Sequence, residues 1–124
     1  MCPCDGIAVM VAQLVADQEF AATEIVELLR GYGLQAEPRK DAQGIIRMLV
    51  NLAGLPVKVA IEPGGKVTAV TQGGTFAQGK EALEKLVVQA LKARGVKMGN
   101  VKFETHVHAQ GRAPRLFYNT PLRA

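Results

Sequence analysis

Apolar positions change their period several times along the chain, and each change marks an element. Residues 7–16 form a continuous apolar run. Its β-branched content suits a buried strand, although periodicity alone leaves a helix open. Asp17 then offers an N-cap, because its short carboxylate can accept a free N–H of a helical first turn. Ala21, Ile25, Leu28, Leu29 and Tyr32 follow at helical spacing and define one apolar face. Gly33 stands where a left-handed residue would end that helix.

A strand-rich stretch comes next. Residues 34–37 read as short and extended, 38–44 as a turn, and 45–52 as a strand broken by Gly54 and Pro56. Two further runs, 57–61 and 66–70, flank Glu62-Pro63-Gly64-Gly65, the clearest hairpin signal in the chain. A second helix follows, with Leu83, Leu86, Val87, Ala90 and Leu91 as its stripe. Lys80/Glu84 and Glu81/Lys85 are spaced for i, i+4 ion pairs. Arg94 suits the negative end of the helix dipole, and Gly95 is the stop. Residues 101–108 alternate cleanly, with Val101, Phe103, Thr105 and Val107 on one face and Lys102, Glu104, His106 and His108 on the other. That is the pattern of a half-buried strand.

The resulting order is strand, helix, several strands, helix, strand. It predicts an α+β two-layer sandwich: an antiparallel or mixed sheet of about five strands with two helices, resembling a split βαβ unit. Residues 1–110 are expected to form a single domain. Residues 111–124, with Gly111, Pro114 and Pro121, form a basic C-terminal tail or an edge strand at 116–118.

Composition narrows this picture. At 124 residues the chain fits one domain, and 48% hydrophobic against 21% charged residues is a globular balance. Aromatics are only 5% and Trp is absent, so the core must be aliphatic. The longest apolar run is about half of the roughly 20 residues a spanning helix needs, so no membrane is expected. The first cation is Arg30, which leaves that run without the basic flank of a signal peptide, and a cytoplasmic location is expected. Cys2 and Cys4 are one residue apart and cannot staple distant segments.

Charge is unevenly placed. Residues 1–85 carry eight Lys/Arg against ten Asp/Glu, whereas 86–124 carry seven Lys/Arg against Glu104 alone. Such asymmetry points to a polyanionic partner, a nucleic acid or an acidic protein. The expected contacts are Lys97, Lys102, Arg112, Arg115, Tyr118 and Arg123, cations for phosphates and an aromatic face for a base. Abundant strand sequence with edges to cover also predicts a homo-oligomer.

Two doublets carry the other chemistry. Cys2-Pro3-Cys4 and His106-Val107-His108 are each X-x-X pairs, and on an extended chain both members of a pair point the same way. If the two strands are neighbours, Cys2, Cys4, His106 and His108 form a four-ligand set for zinc, or for the softer Cu(I). Structural zinc sites space their cysteines by two to four residues, which this pair does not. Gly64-Gly65-Lys66 lacks the rest of a phosphate loop and lies between strands. Leu116 to Pro121 resembles a short segment of the MutL mismatch-repair ATPases. The Asn-bearing helix and Asp-x-Gly-x-Gly loop of that family are missing, so no ATPase activity is implied. A cysteine–histidine pair would lack a third member and an oxyanion site, so a non-enzymatic binding or accessory protein is expected. A shared metal site predicts stoichiometric zinc or copper in protein purified without a His tag, lost on Cys2→Ser or His106→Ala. Metal-free protein whose stability is unchanged in chelator would exclude it.

Overall fold

The computed structural model describes residues 7–104. The first apolar run is a strand, β1 (Ile7–Leu14). Asp17 caps α1 (Gln18–Gly31), its Oδ1 accepting the Phe20 N–H at 2.7 Å. Gly33, at φ +83°, ends the helix, and the Leu34 N–H turns back to the Leu29 carbonyl at 3.1 Å. This Schellman-type closure satisfies carbonyls that the last helical turn leaves free.

The first strand after the helix is β2 (Arg39–Lys40), not residues 34–37. The reason is Asp41. Its Oδ1 accepts the N–H groups of Gln43 (2.8 Å) and Ile45 (3.0 Å), which closes the turn immediately after Lys40. Pairing therefore falls on Arg39–Arg47 and Lys40–Ile46. Next come β3 (Ile46–Leu52), β4 (Leu55–Ile61) and β5 (Lys66–Gln72), with the Pro63-Gly64-Gly65 turn between the last two. Gly65 sits at φ +91°, and a Cβ there would stand 2.9 Å from the Leu14 carbonyl oxygen.

The second helix starts on a capping box. The Thr75 hydroxyl accepts the Gln78 N–H, and the Gln78 side chain accepts the Thr75 N–H. It runs without a break through α2 (Phe76–Leu83), a π-helical stretch (Glu84–Val88) and α3 (Gln89–Ala93). In the π stretch the Gln89 N–H reaches the Glu84 carbonyl, and the Leu86 carbonyl accepts the Tyr32 hydroxyl at 2.8 Å. Only one of the two expected i, i+4 pairs forms, Lys85–Glu81 at 2.9 Å. The Lys80 ammonium instead lies 5.6 Å from the centre of the Phe103 ring, a cation–π distance. The last described strand is β6 (Met98–Glu104); residues 105–108 lie outside the described residues.

All six strands join one antiparallel sheet in the order β2-β3-β4-β5-β1-β6. β1 is antiparallel to both β5 and β6. Those two strands are therefore parallel to each other, with a helix connecting them and β1 filling the gap. This is a split βαβ unit, and the α+β two-layer architecture is as expected, with one strand more than the predicted five.

Both helices cover the same face. Even-numbered residues of β1 and β3 and odd-numbered residues of β4 and β5 supply the core, with Ile25 and Leu29 of α1 and Leu83 and Leu91 of the second helix above them. The last three are 2% exposed or less, and burying a leucine contributes about 2–3 kcal/mol each. Gln18 is a buried polar residue, satisfied by donating to the Gly44 (2.7 Å) and Ile61 (2.8 Å) carbonyls.

The second helix approaches the sheet closely at Gly79. A Cβ there would collide with Thr71 Oγ1 and come to 2.8 Å from the Ala8 Cβ. Thr71 Oγ1 is itself held by the Ala8 N–H at 3.1 Å. Gly79→Ala should therefore lower stability by about 1–3 kcal/mol through overpacking, despite alanine's better helix propensity. Gly31→Ala, with no atom within 4 Å, should be neutral or stabilising. Urea unfolding of the pair checks this; an unchanged midpoint for Gly79→Ala means the approach is looser than described.

Candidate polyanion-binding surface

Because both helices take one face of the sheet, the other face is free of them. Its side chains follow from the register. One row crosses all six strands: Arg39, Arg47, Ala60, Thr68, Val11 and Lys102. The neighbouring row is Leu49, Lys58, Val70, Val9 and Glu104. Lys66 lies opposite Gln13 on the same face.

The face has a consistent electrostatic sign. Among the described strand residues it carries Arg39, Arg47, Lys58, Lys66 and Lys102 against Glu104 alone. The helix-covered face carries Lys40 as its strand charge, and Lys40 pairs with Glu19 of α1 at 3.6 Å. Charges on the helical layer largely neutralise one another. Arg94 bridges to Glu24 (2.8 Å) and Glu27 (2.9 Å), tying the end of α3 to α1. The unbalanced positive charge is thus on the sheet. Val9, Ala60, Thr68 and Val70 form a buried small-residue centre, with the long stems of Arg47 and Lys58 directly opposite Ala60 and Val70 across the strands. Leu49 is 53% exposed.

Arg47 is the most buried of these cations, its side chain only 8% exposed. Its Nε donates to Asp41 Oδ2 at 3.0 Å, and its second guanidinium nitrogen is 2.9 Å from the same oxygen. It therefore positions the turn rather than offering a free charge. Lys58, Lys66 and Lys102 have no ion-pair partner among the described residues.

Of the contacts expected from sequence, Lys102 lies on this face, at the edge strand. Lys97 is exposed just before β6, and its carbonyl accepts the Val15 N–H at 2.8 Å. Arg112, Arg115, Tyr118 and Arg123 lie outside the described residues, as do Cys2, Cys4, His106 and His108. Among the described residues, no group of three or more His, Cys, Asp or Glu is arranged to hold a metal ion. Sequence reasoning missed Arg39, Lys58 and Lys66. Each lies in residues 1–85, the stretch with a net negative charge, and only the alternation within its own strand signals that it shares a face with Lys102.

A groove of about 400 Å³ lies on the helical side, lined by Leu55, Gln78, Glu81, Ala82, Lys85 and Leu86. Its charged groups are the Glu81–Lys85 pair, and it holds no nucleophile–base combination. No helix of the described residues is long and apolar enough to cross a membrane. No protein-family model matches the chain, and no curated protein is significantly similar to it.

Burial pushes the Asp41 carboxyl up, but the Ile45 and Gln43 N–H groups and the Arg47 guanidinium outweigh this and hold it below its ordinary value near 3.8. A depressed folded-state value stabilises the protein above the unfolded value, and that stability is lost as pH falls through the folded one. Wild-type stability should therefore fall below about pH 4, and Asp41→Asn should remove that component and flatten the dependence. Urea midpoints between pH 6 and pH 2 measure it; parallel curves for the two proteins would show that Asp41 contributes nothing.

Proposed function

We propose that this is a non-enzymatic, self-associating binding protein that contacts the phosphate backbone of nucleic acid through the helix-free face of its sheet. The observation that carries the reading is the charge of that face, four cations besides the Asp41-bound Arg47 against one carboxylate among the described strands. Lys58, Lys66, Lys102 and Arg39 are its available cations. Lys97 and the C-terminal Arg112, Arg115, Tyr118 and Arg123, the last four outside the described residues, are proposed as further contacts.

Physical chemistry favours backbone contact over base readout. Adjacent strands are about 4.8 Å apart, so the row from Arg39 to Lys102 spans about 24 Å. That is about two thirds of a turn of duplex DNA along its axis, with Arg39 and Lys102 at the two ends of the row to meet separate phosphates. The centre of the face is small and aliphatic, with no aromatic ring among its described strand residues on which a base could stack. Binding should then be largely sequence-independent and governed by counterion release.

Titration of labelled single- and double-stranded oligonucleotides of mixed sequence across a salt series tests this. Log K should fall linearly with log salt, with a slope near −0.7 to −0.9 per phosphate contacted. Lys58→Ala and Lys66→Ala should each weaken binding and reduce the slope by about one. Absence of binding at about 50 mM salt, or affinity that barely changes on going to about 200 mM, overturns the reading.

A further inference from the structure

We infer that the protein pairs with a second copy of itself through β6, forming a continuous twelve-stranded sheet centred on Phe103. The inference rests on the self-association in the reading above and is independent of its nucleic-acid part.

The two edges of the sheet are unequal. β2 has two residues, too short to template another strand. β6 has seven and, among the described residues, pairs on one side only, with β1. An edge of that length presents a row of N–H and C=O groups that either stays in water or recruits another strand. Its regular part begins at Val101. The register shifts between Ala12–Val101 and Leu14–Met98, placing an extra residue in β6 at Gly99–Asn100. Such a bulge disfavours pairing along that half and leaves Val101 to Glu104 as the regular ladder.

Charge selects the partner and the register. A two-fold axis perpendicular to the sheet keeps each face on its own side, so a residue can pair only with a residue of the same face. With the axis at Lys102, two lysines stand opposite each other, which is destabilising. With the axis at Val101, Lys102 meets Asn100 of the second copy and no ion pair forms. With the axis at Phe103, Lys102 meets Glu104 of the second copy, twice by symmetry. Both residues are exposed, so both are available. Phe103 then stands opposite its own copy on the helix-covered side, half-buried and with Lys80 over its ring. Cross-strand aromatic and opposite-charge pairs are the favourable combinations on an antiparallel ladder. β6 is thus complementary to itself in this register. The pairing neutralises Glu104, the one carboxylate on the cationic face, and engages Lys102, so that Arg39, Lys58 and Lys66 of each copy are left to the joined faces.

Sedimentation equilibrium on the full chain without nucleic acid tests it, using wild type, Lys102→Glu, Glu104→Lys and the double exchange. Wild type should be a dimer. Each single reversal turns two attractive contacts into two repulsive ones and should raise the dissociation constant on the order of tenfold or more. The double exchange should restore the wild-type value, which loss of folding would not do. A monomer at about 100 µM overturns both self-association and this interface. A dimer insensitive to the single reversals, or not restored by the exchange, overturns the interface while self-association stands.

Discussion

β1 makes ladders on both sides, and that double pairing is the constraint on which the rest of the structure depends. It bonds to β5 through seven register positions and to β6 on its other side. Without it, β5 and β6 would be two parallel strands one strand-width too far apart to bond. The segment is also the most apolar in the chain, and in β1 Ala8 through Met10, Ala12 and Leu14 are all buried. The pleat alternates its side chains between two faces, and Val9 is buried on the helix-free one as Ala8 and Met10 are on the other. β1 is therefore inserted between two strands that both follow it in the chain, and the sheet closes only when β6 is in place.

That insertion decides where the second helix can lie. A helix joining β5 to β6 must pass over β1, and it does so at a point stripped of side chains. Gly79 faces Ala8 and Thr71, three small residues that let backbone approach backbone. α1 lies on the same side, tied to the second helix by the Arg94 bridges to Glu24 and Glu27 and by the Tyr32 hydroxyl on the Leu86 carbonyl. With both helices committed to one face, the strand cations other than Lys40 lie on the other. The cationic face follows from this arrangement. Arg39, Lys58, Lys66 and Lys102 are far apart in sequence and come together because each occupies the outward phase of its strand.

Much of the local structure was legible because it rests on short-range chemistry. Asp17, Gly33 and Gly95 mark helix ends through cap hydrogen bonds and left-handed backbone that few other residues supply as well. The Pro63-Gly64-Gly65 turn is of the same kind. The strand at Arg39–Lys40 was misplaced because the Asp41 carboxylate closes a turn across residues that composition alone marks as loop. The π-helical stretch has no periodic signature in Glu84 to Val88, whose spacing also fits an ordinary α-helix. Lys80 is a clear case of tertiary context prevailing. Its helical spacing to Glu84 is ideal, yet a ring from a strand 23 positions along the chain is the partner it finds.

The surface was half legible for a related reason. Net charge along the chain is a one-dimensional quantity, and it marked the C-terminal third as basic. In three dimensions Arg94 of that third is consumed by two carboxylates of α1. Lys58 and Lys66, from the acidic part, stand unpaired among the described residues on the face that Lys102 shares. A sheet converts sequence parity into surface sign, so cations separated by dozens of residues act as one field if their strands are in phase. Phase is set by register, and register in turn by which face of each strand the aliphatic core demands. The same residues that hold the core together, Met10, Met48, Val59 and Ala69 among them, thereby determine that Lys58 and Lys102 point outward on one side. A one-residue slip in β4 would bury Lys58 and expose Val59. The stability of the core and the sign of the opposite face are thus fixed by a single choice.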